Sequence, residues 1–296
     1  MQELLSCPIC SGTRLQRALH VKDHSVSHET FQVQRCLECS FLFTNPRPGP
    51  SEIAPYYQSE EYISHTNSKK GLLNTVYQWA RKRAIRSKLG LLNTVAKGPK
   101  TLLDYGCGTG EFLAAAVQSG WVGAGLEPDP GAREQARHNH RLNVEDPSGL
   151  KALPDGQFGA ITLWHVLEHV HELQETVSQL KRCLASNGVM IIAVPNAQAD
   201  EVQHYGEHWA AYDVPRHLYH FTQDSMIRLM QQHGLACVSV EGMFFDPFYI
   251  SLLSERYLHG GFRPLQAVYR GTQTTWRARK QTNLNSSLLY IFKHRE

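Results

Sequence analysis

Residues whose types and spacing suit ligand binding are concentrated in the segment Thr101–Leu113 (TLLDYGCGTGEFL), where an apolar run leads into closely spaced glycines. The glycines occupy alternate positions: Gly106, Gly108 and Gly110. A second apolar run, Val122–Leu126, is followed directly by Glu127 and Pro128. Glycines let the backbone approach a ligand closely because no Cβ intervenes, and an acid at the tip of the next strand can accept hydrogen bonds from both ribose hydroxyls. The pattern predicts a strand–turn–helix unit that binds an adenosine.

Acidic side chains around this turn indicate which cofactor it binds. The dinucleotide fingerprint is GxGxxG, with a pyrophosphate at the helix N-terminus, whereas here the spacing is GxGxG and Glu111 follows at once. Asp104 on the incoming strand adds another negative charge. Carboxylates repel a pyrophosphate but suit ammonium and sulfonium groups. The residues therefore favour S-adenosylmethionine (SAM) over NAD, and a NAD-type Rossmann domain with similar turn chemistry is the alternative.

The run D-x-G-C-G-T-G that begins at Asp104 resembles motif I of the class I SAM-dependent methyltransferases. Further segments follow in the family's order, including the apolar run Phe158–Trp164 and His165-Val-Leu-Glu-His-Val after it, which is close to small-molecule methyltransferases of the ubiquinone-biosynthesis type. The resemblance covers roughly residues 96–296 and implies an α/β fold with a Rossmann-like, seven-stranded sheet. The cofactor-binding residues that it implies are Asp104, Gly106, Gly108, Gly110, Glu127, Pro128, Trp164 and His165.

The rest of this region carries weaker patterns. The third strand, around Leu142–Val144, is short and polar, and Asn187-Gly188 predicts a turn between a helix and a strand. The family closes its sheet with an antiparallel hairpin, of which Leu235–Val240 would be one strand. The insertion at 250–285 would then cover the acceptor site, and we expect its middle, Gly260–Asn285, to be mobile.

Four of the seven cysteines form two CxxC pairs, Cys7 with Cys10 and Cys36 with Cys39. Two such knuckles match a structural zinc ribbon, in which four thiolates leave the ion no open position for water. Zinc would replace the core that a segment of ~40 residues cannot supply alone. Two disulfides or a redox-active CxxC are the alternatives, and no signal points to an oxidising compartment. We predict a zinc-ribbon domain over residues 1–45.

Residues 46–97 are predicted to be a linker and a basic helix, which precede a SAM-binding domain over 98–296. Nine lysines and arginines and no acid lie between residues 62 and 103. The order of a zinc ribbon, a proline-rich linker, paired tyrosines and a methyltransferase resembles the layout of sugar C-methyltransferases. That resemblance implies substrate contacts from Tyr57 and His65, and packing between domains is the alternative for each.

Histidines, aromatic residues and an arginine are crowded into residues 204–222. A loop that leaves the fifth strand overhangs the ligand crevice of such a sheet. His217 or His220 could take a proton from an acceptor, with Tyr219 beside them as a further catalytic candidate, since a neutral imidazole is a competent base near pH 7. Arg216 could hold a substrate carboxylate or phosphate. The alternative for each histidine is a structural role.

The most favoured function is methyl transfer from SAM to a small-molecule acceptor, by O- or C-methylation of a metabolite such as a quinone precursor or a sugar derivative. An RNA methyltransferase that grips RNA with its zinc ribbon and basic helix is the alternative, because some rRNA methyltransferases have a cysteine-rich N-terminus. A protein that binds SAM only as a structural or sensory ligand is a third hypothesis. No apolar run reaches the ~18 residues of a membrane span and no signal-peptide core is evident, so we expect a cytoplasmic protein.

Overall fold

The computed structural model describes residues 1–58 and 72–295, with side chains from residue 81 onward in the first long helix. The strands are β1 (Leu15–Lys22), β2 (Thr30–Cys36), β3 (Leu42–Thr44), β4 (Thr101–Tyr105), β5 (Val122–Leu126), β6 (Asn143–Glu145), β7 (Phe158–Trp164), β8 (Leu184–Pro195), β9 (Tyr219–His220), β10 (Leu235–Gly242) and β11 (Ser287–His294). The α-helices are α1 (Leu72–Val95), α2 (Glu111–Gln118), α3 (Pro130–His140), α4 (Leu173–Cys183), α5 (Asp200–Tyr205), α6 (Gln223–Gln232), α7 (Asp246–His259) and α8 (Pro264–Ala278).

Seven of these strands form one sheet, in the order β10-β11-β8-β7-β4-β5-β6. Strands β4 to β8 pair in parallel, and β10 and β11 add an antiparallel hairpin at the edge. The Rossmann-like sheet and its closing hairpin are confirmed. The third strand of the parallel set, β6, is only three residues long and buries Val144 alone, which explains its weak sequence pattern.

Both faces of this sheet are covered, because parallel strands are joined by crossover helices. Neighbouring residues of β4 point to opposite faces. Leu102 joins an apolar cluster that includes Leu92 of α1 and Leu113 of α2. Leu103 joins a cluster on the other face that reaches Phe41 and Cys36 near the N-terminus. The N-terminal cysteine-rich unit is therefore packed into the core of the large sheet.

A second sheet, in the order β1-β2-β3-β9, includes a strand from far along the chain. In β9, His220 pairs with Leu42 and Tyr219 with Phe43 of β3. The Phe41 and Tyr219 rings stack with centroids 6.0 Å apart. The segment that carries the candidate catalytic residues is thus built into the N-terminal sheet.

Two expectations about local structure differ from what is observed. Asn187-Gly188 lies within the assigned length of β8, near an irregularity in its pairing with β7, instead of in a separate turn. Where we expected a mobile segment, helix α8 packs against α7. Its buried residues are small and recur at helical spacing, which lets the two helices approach: Ala267, Gly271, Thr274 and Ala278. Among the described residues, no helix combines the length and the apolar character needed to cross a bilayer.

Candidate active site

The glycine loop connects β4 to α2 in a backbone conformation that favours glycine. Gly106, Gly108 and Gly110 have φ angles of +75°, +55° and +85°. A Cβ on Gly106 would collide with the Val166 side chain, so this position also needs glycine for packing. A Cβ on Gly108 would meet no described atom within 4 Å. Gly108 therefore borders open space, where a ligand can approach the backbone.

Glu127 at the tip of β5 is anchored to this loop. Its Oε2 accepts a hydrogen bond from the Gly108 N–H (2.8 Å), and its Oε1 accepts one from the Asp129 N–H (2.9 Å). Each carboxylate oxygen can accept two bonds, so capacity remains for the two ribose hydroxyls. Burial raises the pKa of Glu127. Pro128 contributes its backbone carbonyl to the same turn, where it accepts from Arg133 Nη1 (2.8 Å).

Asp104 is fully buried behind the glycine loop. Its Oδ1 accepts a hydrogen bond from Thr162 Oγ1 (2.6 Å). Burial raises the pKa of Asp104 to about 7, and the charge of Lys88 only partly offsets it. The Lys88 ammonium lies 4.5 Å from the centroid of the Trp164 ring, so α1 brings a cation over the end of β7. Ionisation of this buried acid is costly, and a positively charged ligand nearby would favour the ionised form.

The loop after β7 carries His165, whose φ of +58° is unusual for a residue with a side chain. Its Nε2 lies 3.2 Å from Asp246 Oδ2, and its Nδ1 lies 3.6 Å from Glu168 Oε1. Burial alone would lower the pKa of His165, but these two acids raise it to about 9. His165 is thus a cation at neutral pH. Among the residues that the cofactor resemblance implies, the structure brings Asp104, Trp164 and His165 to adjacent strand ends.

A cluster of one acid and two histidines forms where this loop meets the loop after β8. Glu168 and the partly buried His169 follow β7, and the buried His217 precedes β9. One potential ligand atom from each lies within 4.8 Å of the other two. Tyr57 reaches this cluster, with its hydroxyl 3.1 Å from His169 Nδ1. Sequence reasoning selected His217 and Tyr57 but assigned no role to Glu168 or His169. The signal was the acid–histidine pair directly after β7, where the ligand crevice of such a sheet lies. His65 lies outside the described residues.

Arg216 is engaged by the protein itself. Its guanidinium forms ion pairs with Asp23 (2.9 Å) and Asp213 (2.7 Å) and donates to the Tyr56 carbonyl (2.8 Å). Its side chain is 3% exposed. In the structure Arg216 links the N-terminal unit to the loop after β8 instead of facing open space, and its binding of a substrate anion stays a prediction.

His220 and Tyr219 are held in the small sheet. His220 Nε2 lies 3.1 Å from Thr44 Oγ1, and burial lowers the pKa of this histidine to about 3. The Tyr219 hydroxyl donates to the His171 carbonyl (2.9 Å) and the ring lies under Arg47. Of the three candidate catalytic residues, only His217 joins the cluster beside the cofactor loop. The catalytic roles of Tyr219 and His220 stay predictions, and their structural partners account for their burial.

The four N-terminal cysteines converge as the CxxC spacing predicts. Sγ of Cys7 lies 3.5 Å from that of Cys39, and Sγ of Cys10 lies 3.5 Å from that of Cys36. None is in a disulfide. Four sulfurs around a tetrahedral ion with bonds of about 2.3 Å stand about 3.8 Å apart, which is close to these distances. The donor set fits a closed thiolate site for one ion.

A separate groove of about 710 Å³ is lined by parts of the small sheet and α6, including Ser40, Leu42, Gln198 and Arg228. None of its lining residues belongs to the glycine loop or to the cluster around Glu168. Its size therefore does not make it the reaction site. The chemistry of the residues points to the carboxyl ends of β4, β5 and β7.

This fold is that of a Rossmann-like α/β enzyme, with a glycine loop at the carboxyl end of its central strand β4. Residues 77–240, more than half of the chain, match the family described as "Methyltransferase domain". The chain belongs to this family and is a SAM-dependent methyltransferase.

Known proteins resemble this chain in sequence over a short segment and in structure over most of its length. The ribosomal protein L11 methyltransferase of Burkholderia mallei is 38% identical over 117 residues, which are 38% of this chain and 37% of that protein. A SAM-dependent methyltransferase from Archaeoglobus fulgidus superposes with a TM-score of 0.50 at 18% identity, covering 71% of this chain and 93% of the other. The 1,6-didemethyltoxoflavin-N1-methyltransferase of Burkholderia thailandensis superposes with a TM-score of 0.51 at 13% identity. The match covers 88% of this chain and 98% of the other. The structural likenesses show the fold, and the chain spans little over a third of the length of the curated relatives that it matches.

Proposed function

We propose that this enzyme transfers the methyl group of SAM to a small-molecule acceptor, bound beside the loop that follows β7. The observation that carries the proposal is the buried cluster of Glu168, His169 and His217 next to the cofactor loop. Val166 of that loop packs against Gly106 of the glycine loop, and this contact supports a position of the cluster next to the proposed cofactor site. A compact group of buried ionisable side chains suits a small polar acceptor better than a macromolecular surface.

In this reaction the acceptor atom forms a bond to the methyl carbon, and the carbon–sulfur bond breaks with its electron pair going to sulfur. The protein mainly aligns the two molecules and removes water. Glu127 and the glycine loop would hold the adenosine, and Asp104 would balance the positive charge of SAM. Tyr57, at the His169 end of the cluster, would contact the acceptor. The solved methyltransferase from Burkholderia thailandensis, whose name specifies a small acceptor, is consistent with this class.

We further propose that the four N-terminal cysteines hold a structural zinc ion. Burial raises the pKa of Cys7 and Cys39, so these thiols would stay protonated without a cation nearby. A zinc ion would supply that charge and fix the knuckles that support β2 and β3.

A macromolecular acceptor is the second candidate. Helix α1 exposes Lys82 and Arg86, which could attract nucleic acid or an acidic protein, and the L11 methyltransferase that this chain partly matches is named for a protein acceptor. Against it, two other basic residues of this helix are partly buried and already engaged: Arg81 pairs with Glu111, and Lys88 lies over the Trp164 ring.

Calorimetry and a methylation assay test the proposal together. Adenosylhomocysteine should bind and NADH should not, and Glu127→Gln should weaken adenosylhomocysteine while Glu134→Gln, an exposed acid on α3, should not. Small-molecule, RNA and protein fractions of a cell extract are then incubated separately with the enzyme and labelled SAM. We expect label in the small-molecule fraction. Label confined to RNA or protein would contradict the proposed acceptor class, while the assignment of SAM as the cofactor would stand.

A further inference from the structure

Glu168 is the most unusual buried group in the site. Its side chain is 1% exposed, and among the described residues neither carboxylate oxygen has a hydrogen-bond partner. His165 Nδ1 lies 3.6 Å from Oε1, which is too far for a hydrogen bond. A buried charged group without hydrogen bonds is expensive, and proteins retain such groups where a ligand or ion pairs with them.

The two histidines beside Glu168 are oriented as metal ligands are. His169 Nδ1 lies 3.0 Å from the Arg216 carbonyl, and His217 Nδ1 lies 2.9 Å from the Ala211 carbonyl. A carbonyl oxygen only accepts, so each Nδ1 carries the proton and each Nε2 keeps its lone pair. Metal-bound histidines commonly donate their second ring N–H to a backbone carbonyl in this way.

The surrounding charges leave Glu168 unbalanced. Arg216 is paired with Asp23 and Asp213, and His165 faces Asp246 as well as Glu168. A carboxylate beside imidazole lone pairs is the donor set of a 2-His-1-carboxylate site.

We propose that Glu168, His169 and His217 bind a divalent transition-metal ion, separate from the cysteine site, whose open positions take an oxygen of the acceptor. The second part rests on the proposed function. Imidazole and carboxylate ligands suit zinc, iron and their neighbours in the first row. Three protein ligands leave positions open, in contrast to the closed site of four cysteines.

The ion would act on the acceptor before methyl transfer. An acceptor hydroxyl that binds a divalent cation loses its proton more readily, and that proton passes to solvent water. The resulting oxygen anion then attacks the methyl carbon, and the leaving sulfur keeps the electron pair of the broken bond. His217 holds the ion in this scheme and does not itself remove the proton.

Metal stoichiometry tests the proposal directly. The full chain is stripped with a chelator, dialysed against Zn²⁺ or Co²⁺ and analysed for bound ions by mass spectrometry. We expect two ions per chain for the wild type and one for Glu168→Gln and for His217→Ala, with the second ion weakened more than about 100-fold. His138→Ala, an exposed histidine on α3, is the matched control and should keep two. Cys10→Ser/Cys36→Ser should lose the other ion.

Cobalt spectra identify which site is filled. The cysteine site should give thiolate charge-transfer bands, and the proposed site should add only weak ligand-field bands of nitrogen and oxygen ligation. A wild type that takes up one ion, with thiolate bands alone, would overturn the proposal even if every variant failed to fold. Adenosylhomocysteine binding to the stripped protein is measured in parallel. If two ions bind but adenosylhomocysteine does not, the metal site stands and the proposed function fails.

Discussion

At the scale of single residues, the site is defined by acids whose burial is costly until a cation arrives. Asp104 has its pKa raised to about 7 by burial, whereas an ordinary aspartate has a pKa of 3.8. Its hydrogen bond from Thr162 favours the ionised form only in part. A positively charged cofactor would supply the positive charge that stabilises ionised Asp104. Cofactor binding should therefore depend on pH.

We expect the affinity for SAM to fall as the pH drops through 7, by about tenfold per pH unit. The bound cation favours ionised Asp104, so binding below the pKa of the free enzyme must first remove a proton, while above that pKa the affinity is flat. Asp104→Asn should bind weakly at every pH and lose the slope. Calorimetric titrations from pH 5.5 to 8.5 measure both effects, and Glu134→Gln should follow the wild type. Equal slopes in the wild type and Asp104→Asn would refute the assignment.

At the scale of elements, the glycine loop was predictable because its spacing is local. Strand, turn and the first residues of the helix follow one another within thirteen residues, Thr101–Leu113, so a short stretch of sequence contains the whole loop. The cysteine knuckles were predictable for the same reason. The pairing of β9 with β3 was not, because it joins residues more than 170 positions apart and β9 is only two residues long. The sequence suggests that Arg216 faces the substrate because its partner Asp23 lies 193 positions away, and no local pattern predicts their contact.

The loop itself offers a matched test of ligand approach. Gly108 and Gly120 both have positive φ angles, +55° and +92°, and a Cβ on either would meet no described atom within 4 Å. Substitution by alanine should cost each about 1–2 kcal/mol of stability from the left-handed conformation. Only Gly108→Ala would place its methyl group in the proposed cofactor site, so only this variant should lose adenosylhomocysteine affinity. Thermal unfolding and calorimetry separate the two effects, and equal affinity losses would contradict the placement.

At the scale of the whole molecule, the N-terminal unit and the loop after β8 form one structure. Arg216 joins them through Asp23 and Asp213, whose pKa values are held below the usual range despite burial. The contribution of these depressed carboxylates to stability is complete above the pKa of an unfolded aspartate and is lost as the pH falls below it. The shared sheet and this ion cluster connect the cysteine site to the candidate acceptor site.

Arg216→Met should therefore destabilise the fold by about 3–5 kcal/mol, because it leaves the fully buried Asp23 carboxylate, and the partly exposed Asp213 beside it, without their cation. Arg277→Met is the control: Arg277 pairs with Asp200 at the surface, and this variant should cost under about 1 kcal/mol. Urea unfolding at pH 7 gives both values. A stable Arg216→Met protein whose only defect is a raised KM would instead support the substrate-binding role predicted from the sequence.

Loss of the proposed ion from the cysteine site should loosen the structure around the candidate acceptor site. Cys36 ends β2, which pairs with β3, and β3 in turn holds β9 directly after Leu218. The Thr44 N–H donates to the Leu218 carbonyl (3.0 Å), so this amide reports on the connection. In Cys36→Ser/Cys39→Ser we expect faster hydrogen exchange in β3 and at 217–221, with β4 to β7 unchanged and adenosylhomocysteine still bound. Cys237→Ser, outside the cluster, should exchange like the wild type. Unchanged protection at 217–221 would show that the large sheet alone holds His217 in place.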